Sequence, residues 1–405
     1  MGDSISKICV VGLGYIGLPT ASLLASNGYF VHGVDINEHA VNEINQGKIH
    51  IDEPDLDSYV RSAVSKGTLK ASLKPEAADV FILCVPTPFH NDTDPPRPNV
   101  DFVVQAAQSI APFVQPGNIV ILESTSPVGT THLVAETLAA AGVDTSTLSI
   151  AYCPERVLPG KIMTELVQND RIVGGATPEA TERIKSFYET FINGTVLGTD
   201  CKTAEMAKLV ENSYRDVNIA FANELSMLCD EAGIDVWKLI ELANRHPRVK
   251  ILQPGSGVGG HCIAVDPWFI VHQNPPLARM IRTAREVNDS KQVWVANQIS
   301  QRAKEFEATN GRVPVIACLG LAFKPDIGDL RESPSLEIVE SLLHDGHSVL
   351  AVEPNIESHP RIPLSSLNQA LSSADIVVIL VKHKQFRNIE LSGKPVLDYC
   401  GLNVA

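Results

Sequence analysis

KICVVGLGYIG, residues 7–17, runs from a short apolar strand straight into a Gly-x-Gly-x-x-Gly turn, and helical sequence follows to about Asn27. In such a turn Gly12 permits the tight bend, Gly14 lets backbone approach a pyrophosphate, and Gly17 lets the helix pack closely on the strand. The helix N-terminus then meets phosphates with its N–H groups and its dipole. Tyr15 and Ile16 lie inside the same turn. A second strand, from Tyr29 to Val34, ends at Asp35. A carboxylate there accepts a hydrogen bond from a ribose hydroxyl and repels a 2′-phosphate, and no arginine stands between Asp35 and Arg61. The pattern predicts NAD rather than NADP. A glycine-rich turn without a ligand is the competing reading.

Working outward, buried-type strands are predicted at 79–85, 118–123 and 148–153, with helical spacing between them. Strands alternating with helices imply a doubly wound parallel sheet, an α/β fold. Residues 203–233 contain no Pro or Gly until Gly233, so one long helix is expected, followed by a helix at about 235–244. A Pro- and Gly-rich loop runs from His246 to Pro267, and a further helix from about 277 to 308. Strand patterns return at 314–321, 347–352, 375–381 and 395–398. The expected plan is a Rossmann domain over 1–202, a central helical domain over 203–311 and a second Rossmann-like domain over 312–405.

Composition narrows the function. A chain of 405 residues with 44% hydrophobic and 20% charged residues is globular and multidomain. A net charge of −14 argues against a nucleic-acid partner. The eight cysteines form no CxxC pair, so no metal is expected. No signal peptide or apolar run of membrane-spanning length is present, so the expected setting is the cytoplasm, with no membrane partner.

Three further stretches carry chemistry. Glu205, Lys208, Asn212 and Arg215 stand at i, i+3, i+7 and i+10 along the long helix. They form either a solvated face or a stripe that holds a substrate. Four glycines, at 255, 257, 259 and 260, precede Cys262 in the loop Pro254 to Pro267. Cys262 reads as a nucleophile, as an inert thiol in a tight turn, or as a metal ligand with His261. Phe323-Lys324-Pro325 and Arg331 follow the first strand of the last sheet, where ligands sit in open α/β sheets.

Taken together, GLGYIG (12–17), VPTP (85–88), STSPVGT (124–130), CPERVLPG (153–160), AEMAKLVENS (204–213), GVGGHC (257–262) and GLAFKPDIGDLRESP (320–334) resemble the UDP-glucose/UDP-mannuronate-type dehydrogenases over nearly the whole chain. NRHPRVKILQPG (244–255) and GGHCIAVDPWF (259–269) are similar to the members that act on UDP-N-acetyl-D-mannosamine. The resemblance implies four-electron oxidation of a UDP-sugar C6 alcohol to the uronate, for surface polysaccharide synthesis. Cys262 matches the catalytic thiol, Lys208 the general acid/base, Asn212 a residue that steadies the C6 oxygen, Asp266 one that orients lysine or water, and Glu155 a carboxylate for the hydrolytic step. Tyr15, Ile16, Asp35, Thr87, Thr125 and Arg331 match NAD contacts. Arg156, Val157, Lys208, Asn212, Arg215, Gly259, Phe323 and Lys324 match UDP-sugar contacts. His246 and Arg248 match residues that reach a neighbouring subunit's substrate, which implies a homodimer.

One departure concerns Cys400, which precedes Gly401 where relatives often carry Lys or Arg, a substrate contact. Competing expectations are a UDP-N-acetylglucosamine or UDP-glucose dehydrogenase, a two-electron hydroxyacid dehydrogenase, and a non-catalytic UDP-sugar-binding module.

Overall fold

The computed structural model describes residues 5–90, 92–260, 262–391 and 393–402. The chain divides into two compact units, Met1–Val210 and Glu211–Ala405.

The first unit is built on β1 (Lys7–Val11), β2 (Phe30–Val34), β3 (Leu69–Ser72), β4 (Val80–Leu83), a small antiparallel hairpin of β5 (Phe89–His90) and β6 (Arg97–Pro98), β7 (Ile119–Leu122), β8 (Ser149–Tyr152), β9 (Arg171–Gly175) and β10 (Val196–Asp200). The large sheet has the order β10-β9-β8-β7-β4-β1-β2-β3, parallel except where β9 meets β8. Every residue of β4, β7 and β8 is buried, as central strands covered on both faces require. β2 and β3 extend from β1 to one side, while β4, β7 and β8 extend to the other. The strand order therefore reverses between β1 and β4, and a ligand crevice belongs at their carboxyl ends. β3, the β5–β6 hairpin, β9 and β10 were not anticipated. Gly174 and Gly175 weaken the strand pattern of β9, yet a side chain at either would collide with Ala204 or Thr181, so tertiary packing selects glycine there.

In the second unit, helices Val236–Ala243, Asp266–Gln273 and Arg279–Asn310 lead into a sheet of β11 (Val315–Leu319), β12 (Ser348–Val352), β13 (Ile376–Ile379) and β14 (Val396–Asp398). Its order is β12-β11-β13-β14, all parallel. The long helix Cys201–Ala232 runs through the boundary between the units. Its second half meets Arg279–Asn310 through a buried polar network. Arg285 pairs with Asp216 at 2.6 Å, and Asn288 donates to the same carboxylate at 2.8 Å. Asn223 donates to Asn288 at 2.9 Å and accepts from Gly255 N–H at 2.9 Å, which ties down the start of the glycine loop.

Cys9, Cys153 and Cys318 are wholly buried, and burial pushes their thiols up to about 12. They are core residues. Among the described residues no helix is long and apolar enough to cross a membrane, and no His, Cys, Asp and Glu group has the geometry of a metal site. His261 lies outside the described residues.

Candidate active site

In the first unit the fingerprint forms the expected turn, with the helix Gly17–Ser26 opening on Gly17. Gly12 has φ 92, and a side chain on it would strike the Cys84 carbonyl. A side chain on Gly17 would strike the Gly12 carbonyl. Gly14 is different. It has no positive φ, and a Cβ there would meet nothing within 4 Å. Neither backbone conformation nor packing within the chain requires glycine at 14, whereas close approach of a pyrophosphate does. The residues present therefore fit NAD.

Asp35 sits at the end of β2 and accepts from Leu13 N–H at 2.8 Å and Asn37 N–H at 2.9 Å. Each carboxylate oxygen keeps a second lone pair for a ribose hydroxyl. Thr87 and Thr125, on the loops after β4 and β7, come together through a 2.5 Å hydrogen bond from Thr87 Oγ1 to the Thr125 carbonyl. Tyr15, in the fingerprint turn, is 39% exposed, and Ile36 is 90% exposed next to Asp35. Sequence reading passed over Ile36, although a large apolar residue directly after a strand-end Asp is a visible signal for a flat ligand surface.

Glu155 follows β8 and is buried in a second cluster of this unit. Arg171, at the head of β9, makes an ion pair with Glu155 and lies 3.5 Å from Glu123 Oε1. Glu123 also accepts from Tyr188 Oη at 2.7 Å and from Thr20 and Cys84 at 3.3 Å. Two buried carboxyls thus share one guanidinium, and Glu123 holds most of the other donors. Burial pushes Glu155 up to about 7, against the opposing pull of Arg171 and with the Glu123 charge adding to the rise. The charge of Lys208 also lowers Glu155, though less than Arg171 does. Among the described residues Lys208 makes no hydrogen bond or ion pair. Arg156 donates to the Asp170 carbonyl at 3.2 Å, and Val157 packs on the core of the unit. Glu123, Arg171 and Tyr188 were missed by sequence reading, because a charge flush against an apolar strand gives no hint of its partner.

Glu205 corrects the reading of the polar stripe. It is wholly buried and accepts from Gly129 N–H at 2.6 Å and Thr131 N–H at 2.7 Å, where it neutralises the start of the helix Thr130–Ala140. The i, i+3, i+7, i+10 positions span roughly 80° of the helix with Glu205 and Arg215 at opposite edges, so Glu205 faces the core while Lys208 and Asn212 are half-buried and Arg215 is exposed.

In the second unit Asn212 donates to Asp266 at 2.5 Å. Asp266 is 2% exposed and begins the helix Asp266–Gln273. Its N–H donates to the Cys262 carbonyl at 2.8 Å, so the exposed Cys262 sits one turn before the carboxylate that holds Asn212. The loop reaches this point by threading past Phe323. A side chain at Gly260, φ 85, would enter the Phe323 ring, and one at Gly259 would meet Pro334 and Phe323. Gly259 and Phe323 are thus brought together. Lys324, next in the chain, is half-buried and has no polar partner among the described residues. Arg331 is exposed and forks onto Asp329 at 2.6–3.1 Å. His246 and Arg248 are exposed on a loop closed by Asn244 and Ile251, and Cys400 is half-buried against Asp398.

Comparison with known proteins agrees along the chain. Residues 6–192, 202–290 and 317–402 match the NAD binding, central and UDP binding domains of the UDP-glucose/GDP-mannose dehydrogenase family. The chain is 54% identical to UDP-N-acetyl-D-mannosamine dehydrogenase of Campylobacter jejuni, covering 98% of this chain and 100% of that one. It is likewise 54% identical to NDP-N-acetyl-D-galactosaminuronic acid dehydrogenase of Ralstonia nicotianae, covering 98% and 96%. The solved UDP-N-acetyl-mannosamine dehydrogenase of Staphylococcus aureus superposes with a TM-score of 0.87 at 42% identity, covering 98% and 95%.

Proposed function

Because the chain belongs to the UDP-glucose/GDP-mannose dehydrogenase family and is an NAD-dependent UDP-sugar dehydrogenase, we propose that it oxidises the C6 alcohol of UDP-N-acetyl-D-mannosamine to the carboxylate. The observation that carries this reading is Cys262, exposed one turn before Asp266 at the end of a glycine-rich loop. NAD, when bound, accepts a hydride in each of two successive oxidations.

The chain's own groups do the rest. Lys208, or a water it holds, takes the alcohol proton. The Cys262 thiolate attacks the aldehyde carbon, forming a C–S bond in a thiohemiacetal, so no free aldehyde escapes. Loss of the second hydride, with the thiohemiacetal hydroxyl proton passing to Lys208 or the water it holds, leaves a thioester. Water activated by Glu155 or Asp266 then breaks the C–S bond, releasing carboxylate and restoring the thiol. Asn212 donates one amide hydrogen to Asp266 and keeps the other for the C6 oxyanion. Arg156, Val157, Arg215, Gly259, Phe323 and Lys324 bind the sugar nucleotide, and Arg331 serves NAD. The reaction belongs in the cytoplasm, where a thiol stays reduced, and its uronate product supplies surface polysaccharide synthesis.

Purified protein should consume UDP-N-acetyl-D-mannosamine in preference to the N-acetylglucosamine, N-acetylgalactosamine and glucose analogues, yielding two NADH per sugar. The Ralstonia relative makes the galactosamine analogue the informative competitor. A preference for another sugar overturns the substrate, one NADH per sugar overturns the four-electron reaction, and none at all overturns the enzyme.

The working form is a homodimer in which His246 and Arg248 reach the partner's substrate. Tyr214, Phe221 and Leu228, seven residues apart on the long helix, are 73%, 54% and 59% exposed. Phe221 and Met280 border a groove of about 410 Å³ between the two long helices of the second unit. An apolar face of this kind calls for a partner. Mixing inactive Arg248→Ala with inactive Cys262→Ala should then restore turnover through heterodimers. No recovery after verified subunit exchange would rule out a shared site.

A further inference from the structure

The opening of the fingerprint turn recurs in the second unit, at Gly320, without the two later glycines. In the first unit Gly12 N–H donates to the Val34 carbonyl at 2.8 Å, and Asp35, the residue after β2, accepts from Leu13 N–H. In the second unit Gly320 N–H donates to the Val352 carbonyl at 2.8 Å, and Glu353, the residue after β12, accepts from Leu321 and Ala322 N–H at 2.8 and 3.0 Å. Gly12 and Gly320 have φ of 92 and 94. Asn355 N–H closes onto Glu353 at 3.0 Å as Asn37 N–H closes onto Asp35 at 2.9 Å.

The two carboxylates then differ in fate. Asp35 is half-exposed, whereas Glu353 is 4% exposed and its Oε2 takes a third donor, His383 Nε2, at 3.0 Å. His383 is itself wholly buried. Its Nδ1 accepts from Asp326 N–H at 2.9 Å and from the Asn355 amide at 3.0 Å, so the ring donates at one nitrogen and accepts at the other. Lys384 N–H, beside it, donates to Asp326 Oδ1 at 2.7 Å. The loop from Gly320 is thereby pinned at Leu321 and Ala322 by Glu353 and at Asp326 by His383. Between the pins stand only Phe323, Lys324 and Pro325.

We propose that Glu353 and His383 are positioning residues that hold Phe323 and Lys324 in place for the sugar nucleotide, using the carboxylate position that the first sheet keeps for a ribose. With three donors on Oε2, Glu353 is committed to the protein, and the second sheet is closed to a dinucleotide at that position. The proposal rests on the reading that Phe323 and Lys324 contact the UDP-sugar.

Calorimetric titration of UDP into the full-length protein, with steady-state kinetics, tests it. His383→Ala should weaken UDP binding and raise KM for the UDP-sugar by about tenfold, while KM for NAD stays within about twofold and kcat falls less. His383→Gln, which can both donate and accept, should recover most of the loss. Unchanged UDP affinity in folded His383→Ala overturns the clamp, as does an equal rise in both KM values alongside a lowered Tm. If His383→Ala does not fold, Asn355→Ala should show the same split at about threefold, and no split overturns the proposal. Failure of the unmodified protein to bind UDP would overturn the sugar-nucleotide reading and the clamp together. Loss of the clamp alone leaves that reading standing.

Discussion

Cys262→Ser should lower steady-state turnover by about 10³-fold or more while leaving Tm nearly unchanged. The hydroxyl keeps the shape of the thiol, but it is hardly ionised near neutrality and is a far poorer nucleophile. The backbone of the turn is kept, because it is held by the Cys262 carbonyl, which accepts from Val265 N–H at 3.1 Å and Asp266 N–H at 2.8 Å. Turnover stalls once an aldehyde forms or once a sugar ester forms on the serine. Mass spectrometry after incubation with UDP-sugar and NAD checks for that adduct at residue 262. Near-normal release of two NADH per sugar by this variant would refute a thiol intermediate and leave a hydrated aldehyde as the route.

Arg171→Leu should destabilise the first unit by ~3–5 kcal/mol, since removing one partner of a buried pair strands the other's charge. Here two carboxyls, Glu123 and Glu155, are stranded at once. Glu155 already lies up at about 7, chiefly through burial, and loss of the guanidinium removes the main pull that opposes this rise. The sign follows from proton binding. The folded-state Glu155 carboxyl holds its proton to a higher pH than in the unfolded chain, so its contribution is fully present below the usual carboxylate range and is lost as pH rises through the folded value. Arg171→Leu should therefore be closest to the unmodified protein near pH 5 and fall away towards pH 8. Denaturant unfolding at several pH values measures this, and equal stability of the two proteins throughout would contradict it. In the unmodified enzyme, a Glu155 that acts as base in thioester hydrolysis should make turnover rise with pH through about 7.

Much was legible before any coordinates. KICVVGLGYIG and Asp35 announce β1, the turn, the helix and β2, because strand and helix periodicities are local and the glycine spacing has one strong structural meaning. The run without Pro or Gly after Thr203 announces the helix Cys201–Ala232 for the same reason. β9 and β10 stayed hidden, since glycines chosen by packing against Ala204 and Thr181 look like turn residues. Within the polar stripe, helical spacing put Glu205 beside Lys208, but only the position of the helix Thr130–Ala140 could assign Glu205 to the core.

By itself, then, the sequence determined the order of α/β, helical and α/β segments, the NAD fingerprint and the glycine loop around Cys262, all of them properties of neighbours along the chain. The tertiary structure alone decided that Asn212 meets Asp266, that Arg171 is shared by Glu123 and Glu155, and that Glu353 is spent on His383. Those pairs are 16 to 54 residues apart in sequence, and a buried charge finds its partner through the packing of distant elements rather than through any pattern in the residues beside it.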